Sequence, residues 1–237
     1  METTASREIA QNGFTIIDDV YTLQEVNDII KLIEGVSTDS PTFRISNNLF
    51  AIRQFLKEVS DICPLIFTDK LKQIISRLYS ADYFAVKSIY FDKPGLSNWF
   101  VAYHQDLTVS VDHKTNTVGY GPWTVKHNQF AVQPPLDILQ RNFTIRIHLD
   151  DTNGDNGALK VIPGSHLKGV YRPESINWTA ERERICEVKS GGVMFMSPLL
   201  LHASNRTVNN KKRRVIHIEF SNAELADGLN WSEKMGF

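Results

Sequence analysis

Tyr83-Phe84-Ala85-Val86-Lys87-Ser88-Ile89-Tyr90-Phe91 is the stretch at which the chain changes period. Aromatic and β-branched residues crowd it, and Asp92-Lys93-Pro94-Gly95 closes it with turn chemistry, so it reads as a strand. The same signature recurs behind it, at Asn98 to His104, Phe143–Asp150, Ala158–Ile162, Ile185–Val188, Gly192–Met196 and Arg213–Phe220. Ahead of it, a short strand at Gly13 to Asp18 gives way to helical spacing. Thr22 stands three residues before Glu25 as a capping box, Leu23, Val26, Ile29, Ile30 and Ile33 follow on one face, and Gly35 is placed to stop the helix. A second helix is expected from Leu49 to Ile62. Pro64 interrupts it, and a third runs to about Tyr79 with Leu71, Ile74, Ile75 and Leu78 on one side. The organisation is therefore a helical front, residues 1–80, packed on a strand-rich back, residues 83–220, within one domain of 237 residues.

Composition narrows the partners. Apolar residues at 42% and charged ones at 22% belong to a globular chain. Lys+Arg number 26 against 27 for Asp+Glu, and the net charge of -1 offers no general field for nucleic acid or anionic lipid. Met1 to Asn12 is polar with no apolar core of a signal peptide, and no window approaches the ~20 apolar residues of a membrane span. Cys63 and Cys186, far apart in sequence, form neither a disulfide framework nor a zinc-knuckle spacing. A soluble cytoplasmic protein acting on a small molecule, with no nucleic-acid or membrane partner, is the expectation.

Residues 107–142, with Pro122, Pro134 and Pro135 and little periodicity, are expected to form a covering loop over a site. Trp123, Phe130 and Val132 argue against disorder there. Trp123 and Gln133 are its candidates for substrate contact, while His113 and His127 face either solvent or substrate.

The chemistry gathers on a few residues. In Tyr103-His104-Gln105-Asp106, positions i and i+2 of an extended strand project from one face, so His104 and Asp106 can meet one ion. Pro198-Leu199-Leu200-Leu201-His202 is an apolar run ending in an imidazole that needs a partner. Eleven residues later Arg213 opens a strand on which Val215, His217 and Glu219 share its face, and a buried guanidinium requires an anion. Two histidines and one carboxylate with open positions match the arrangement of non-haem Fe(II) oxygenases. Zinc hydrolysis on the same ligands stays possible but leaves Arg213 without a role.

In order and spacing, these pieces resemble the phytanoyl-CoA dioxygenase-like family of Fe(II)/2-oxoglutarate-dependent oxygenases along nearly the whole chain. The matching segments are Gly13-Phe14-Thr15-Ile16-Ile17-Asp18-Asp19 with its helix, His104-Gln105-Asp106, Asp155-Asn156-Gly157-Ala158-Leu159-Lys160-Val161-Ile162-Pro163-Gly164-Ser165-His166, and His202-Ala203-Ser204 followed by Arg213. The resemblance implies a mainly β fold with flanking helices, a double-stranded β-helix (jelly-roll, cupin-like) core with the N-terminal helices outside. It implies His104, Asp106 and His202 as Fe(II) ligands, and Arg213 with Ser204 as the anchor for the far carboxylate of 2-oxoglutarate. Arg214 is the competitor, but strand parity turns it outward. His166, in turn chemistry after Pro163-Gly164, is architecture.

Thr144-Ile145-Arg146-Ile147-His148-Leu149-Asp150 alternates strictly. Its polar face is either a solvated, charge-paired sheet surface or the barrel interior. The family counterpart lines the cavity, which favours the interior, with Arg146 on the near carboxylate of 2-oxoglutarate or on an acid group of the substrate, and His148 as a substrate contact. The implied activity is a dioxygenase consuming 2-oxoglutarate and O2, releasing succinate and CO2, and hydroxylating an unactivated C–H bond of a small polar or anionic metabolite. Halogenating relatives lack the carboxylate ligand, so Asp106 favours hydroxylation, though desaturation or ring closure would use the same residues. No basic cluster suits a CoA diphosphate. A non-catalytic ligand-binding member of the fold, or a cupin-like metal hydrolase or isomerase, are the alternatives.

Overall fold

The computed structural model describes residues 3–36, 42–46, 49–79, 82–97, 99–126, 129–226 and 228–237. Helix α1 (Thr4–Asn12), absent from the sequence reading because its composition is polar, is capped by the Thr3 side chain and ends on Gly13 at φ 84°. After β1 (Phe14–Ile17), α2 (Leu23–Glu34) starts at the expected capping box: Thr22 N–H donates to Glu25 Oε2 at 2.7 Å, and Glu25 N–H to Thr22 Oγ1 at 3.2 Å. Gly35 stops it, with an ordinary φ of -83°.

The second expected helix is corrected. Its first residues form β3 (Leu49–Arg53), which pairs with β2 (Phe43–Ser46), and helix begins only at α3 (Phe55–Glu58) after Gln54 in the left-handed region. The continuous apolar run Leu49-Phe50-Ala51-Ile52 suits either period. An open strand edge opposite Tyr90 and Phe91 decides for the strand. Short α4 (Cys63–Ile66) and α5 (Asp69–Leu78) complete the helical front.

Then come β4 (Phe84–Lys93), β5 (Val101–His104), β6 (Val109–Val111), β7 (Trp123–Lys126), β8 (Gln129–Val132), α6 (Leu136–Gln140), β9 (Asn142–His148), β10 (Leu159–Val161), β11 (Arg184–Cys186), β12 (Val193–Met196), β13 (His202–Ser204) and β14 (Arg213–Ser221). The expected covering loop is thus a small antiparallel sheet, β6-β8-β7, followed by a helix. Its strands are too short, and the links between them too irregular, to carry a visible period.

Two further antiparallel sheets make the double-stranded β-helix: β1-β12-β9-β14-β4-β3-β2, and β11-β10-β13-β5. The helices bury Ile29, Phe55, Ile62, Leu71 and Ile75 against Ile145, Ile147, Phe195, Ile216 and Ile218 on the outer face of the larger sheet. Each such side chain stabilises the fold by roughly 1.5–3 kcal/mol. Strand alternation then turns Arg146, His148, Arg213, His217 and Glu219 inward, between the sheets. No helix among the described residues is long and apolar enough to cross a membrane.

Candidate active site

Three segments bring His104, Asp106 and His202 together. His104 ends β5 and His202 begins β13, and the two are register partners, with ring centroids 4.2 Å apart. Gln105, between His104 and Asp106, points the other way: its amide donates to Leu199 O and Gly169 O and accepts from Tyr171 N–H. Asp106 N–H donates to Pro198 O at 2.9 Å, so the carboxylate is held beside the run that delivers His202. Ser165 supports that run by accepting from Leu201 N–H.

Each imidazole is oriented from behind. His104 Nδ1 lies 2.9 Å from Ala102 O, and His202 Nδ1 2.9 Å from Leu200 O. A carbonyl accepts only, so both Nδ1 atoms carry hydrogen and both Nε2 lone pairs point forward. They face Asp106 from 3.9 and 3.8 Å, too far for hydrogen bonds, and Asp106 Oδ2 is buried with no partner. The three ligand atoms lie within 4.8 Å of one another. Burial alone would raise the Asp106 carboxyl, but His202 and Lys87 beside it hold it well below the usual carboxylate range. Burial, only partly opposed by Asp106, pushes His202 down to about 4, leaving it neutral and able to ligate at neutral pH.

Beside this trio lies a cavity of about 220 Å³ lined by Lys87, Ile89, Phe91, Trp99, Val101, Leu159, Ala203, Ser204, Arg146, Arg213 and His217 as well as the trio itself. Arg213 is 2% exposed; one of its NH groups donates to Gly157 O, and its Nε has no partner. Burial, then Arg146, bring it down to about 9. Burial brings Arg146 to about 10. Lys93, the register partner of Arg213, is fully buried on Asn205 O and is pushed down to about 7 by burial and by Arg213. Gly157 makes this packing possible: at φ 85°, a Cβ there would meet Lys93 Nζ at 2.7 Å and Asn205 O at 3.0 Å. The cavity floor therefore holds cations waiting for an anion. Arg214, by contrast, turns outward onto Asp150 in a bidentate pair at 2.9 and 2.7 Å, as strand parity required.

Arg146 faces the interior. His148 also points inward, but it sits behind the cavity wall, its Nδ1 2.8 Å from Thr152 Oγ1 and its Nε2 buried without a partner. The structure does not bring Trp123 or Gln133 to the cavity. Trp123 packs with Val86, Val109, Val132 and Trp231, and the Gln133 backbone is tied to Gly121 and Pro122, because both belong to the small sheet's own core and ladder. Lys87 and Trp99 occupy the wall instead. Lys87 shares the inward parity of β4 with Ile89 and Phe91, a signal present in the alternation. His166 packs on Gly13 and Ala10 O, away from the ligands, and His113 pairs with Asp112 at the surface. His127 lies outside the described residues.

A model of the phytanoyl-CoA dioxygenase (PhyH) family matches residues 9–215. No curated protein matches the chain by sequence. Among solved structures, the chain is similar to the non-haem alpha ketoglutarate dependent carbocyclase SnoK from nogalamycin biosynthesis, at 15% identity and TM-score 0.71, covering 99% of this chain and 87% of that one. It is also similar to EctD from S. alaskensis with 2-oxoglutarate and 5-hydroxyectoine, at 19% identity and TM-score 0.71, covering 93% and 76%. HygX from Streptomyces hygroscopicus with nickel, 2-oxoglutarate and hygromycin B bound matches at 16% identity and TM-score 0.66, covering 96% and 94%. At these identities the likeness carries the fold.

Proposed function

Because the chain belongs to the phytanoyl-CoA dioxygenase family, non-haem oxygenases that work with Fe(II), 2-oxoglutarate and O2, we propose that it hydroxylates an unactivated C–H bond of a small polar or anionic metabolite. Succinate and CO2 are the co-products. One observation carries this reading: a buried, unpartnered carboxylate oxygen of Asp106 faces two imidazole lone pairs whose Nδ1 atoms are already committed to carbonyls. Ligands ~2.0–2.2 Å from one ion stand roughly 3–4 Å from each other, which suits this spacing. His104, Asp106 and His202 would hold the metal on one face and leave the other open.

When bound, Fe(II) and 2-oxoglutarate together supply the activation of O2. The chain's own residues do the rest. Arg213, with Ser204 beside it on the cavity wall, pairs with the far carboxylate, and Arg146 with the near one. Unpartnered guanidinium nitrogens on both arginines support this assignment. Ile89, Phe91, Trp99, Val101 and Leu159 keep water from the reacting carbon, and Lys87 offers the substrate a polar contact. Similar folds include a carbocyclase and an epimerase. Asp106 sets hydroxylation apart from halogenation, whose family members lack that carboxylate, while ring closure and desaturation would use the same residues. The test is anaerobic loading with Fe(II) and 2-oxoglutarate, then exposure to O2 with pools of small metabolites. Succinate formation and a product heavier by one oxygen atom are expected. Failure to form succinate, or turnover without O2, would refute the proposal.

A further inference from the structure

Along the cavity wall, four side chains on three neighbouring strands form one hydrogen-bonded row. Lys87 on β4 donates to Glu219 Oε1 at 2.6 Å; Glu219 Oε1 meets His217 Nε2 at 3.1 Å; His217 Nδ1 meets an NH group of Arg146 at 3.1 Å. The row follows the ladder, with Lys87 opposite Glu219 and His217 opposite Arg146. Glu219, His217 and Arg146 are all buried.

The polarity of every link is fixed. Lysine and arginine only donate, and an ionised carboxylate only accepts. His217 must therefore carry its hydrogen on Nε2, given to Glu219, and present the Nδ1 lone pair to Arg146. Glu219, His217 and Asp106 also lie close enough to suggest a second cation site. His217 has no lone pair left for one, since both ring nitrogens are engaged. Burying an ion pair behind a neutral imidazole is costly where hydrophobic residues would pack, so the row calls for a role. Its free end is the Arg146 guanidinium, pinned at one nitrogen, with Nε buried and unpartnered.

We infer that His217, backed by Glu219 and Lys87, is a positioning residue that aims Arg146 at the metal-proximal carboxylate of 2-oxoglutarate. This rests on the role given to Arg146 above. Glu219 sets the tautomer of His217, Lys87 keeps Glu219 ionised, and His217 fixes the plane of the guanidinium.

The experiment uses the full chain loaded with redox-inert Ni(II) and titrates 2-oxoglutarate by calorimetry. Arg146→Ala should weaken 2-oxoglutarate about 10- to 100-fold, the range for hydrogen bonds to charged groups. His217→Phe, which keeps the ring and removes both bonds, should weaken it about 5- to 20-fold, and the double variant should match Arg146→Ala within about 2-fold. Ni(II) affinity should stay unchanged in all three. In the unsubstituted protein, side-chain ¹⁵N shifts should place the His217 proton on Nε2. If Arg146→Ala leaves 2-oxoglutarate binding intact, the role of Arg146 itself fails and the inference falls with it. If Arg146→Ala weakens binding but His217→Phe does not, or the two losses add, positioning alone is overturned. Loss of Ni(II) binding in His217→Phe, or a proton on Nδ1, also overturns it, since the row would then serve Asp106 or have the opposite polarity.

Discussion

Replacing Arg213 with methionine should make the ligand-free protein more stable while removing its grip on 2-oxoglutarate. The guanidinium is 2% exposed, pinned to Gly157 O, with Nε unpartnered and only cations, Arg146 and Lys93, beside it. Its descent from 12.5 to about 9, at 1.36 kcal/mol per pH unit, corresponds to roughly 5 kcal/mol of strain carried by the folded state at neutral pH. Methionine keeps the aliphatic stem and drops the charge, but it leaves Gly157 O unsatisfied, which costs ~1–3 kcal/mol. The net gain is then roughly 2–4 kcal/mol, equivalent to about 4–16 °C in Tm for a chain of this size. Thermal unfolding of metal-free Arg213→Met against the parent, each with and without Ni(II) and 2-oxoglutarate, gives both halves. The parent should gain stability from 2-oxoglutarate and the variant should not. A variant with unchanged or lower Tm would refute the claim that the cavity floor holds an uncompensated charge. Retained 2-oxoglutarate stabilisation would refute the anchor.

Gly157→Ala should cost about 1–3 kcal/mol, because alanine resists φ 85° and its Cβ meets the buried Lys93 and Asn205 O. It should also weaken 2-oxoglutarate by displacing the carbonyl that holds Arg213; unaltered Tm and affinity would contradict both. Arg214→Leu should lower Tm through loss of the Asp150 pair, by ~1–3 kcal/mol, while 2-oxoglutarate affinity stays within about 2-fold. Acidification should destabilise the metal-free protein between pH 6.5 and about 4. His202 and His148 are held neutral by burial, so the unfolded chain takes up protons that the fold refuses, at ~1.4 kcal/mol per pH unit for each group. His202→Gln should flatten the Tm–pH curve in that window, and an unchanged slope would sink the argument.

Strand parity was the most legible property of the chain. With the family spacing it separates Arg213 from Arg214, and it places His104 and Asp106 on one face; for Arg146 alternation leaves two faces open, and the family resemblance chooses the inner one. What alternation cannot give is register: Lys87 and Glu219 stand 132 residues apart, and a slip of one residue would send either to the opposite face. The row of polar side chains is therefore invisible in the sequence, although Arg146, His217 and Glu219 each stand out in it. The β2–β3 hairpin was hidden because a five-residue apolar segment suits both periods until a neighbouring edge chooses. That Trp123 and Gln133 lie off the cavity is hidden for a related reason. Distance along a chain from the metal ligands says nothing about which way a small sheet turns its own core.

His104 and His202 are rungs of the same ladder, though 98 positions separate them (202 minus 104). The two imidazoles face one another only where β13 is docked on β5, so a metal site built on them would be complete only with the smaller sheet closed. A chain still emerging from synthesis, or one whose smaller sheet has frayed, would present isolated imidazoles with only weak hold on a transition metal. On the proposed ligand set, metal loading would be coupled to completed folding, and the fraction of protein carrying an ion would gauge how much of it has zipped shut.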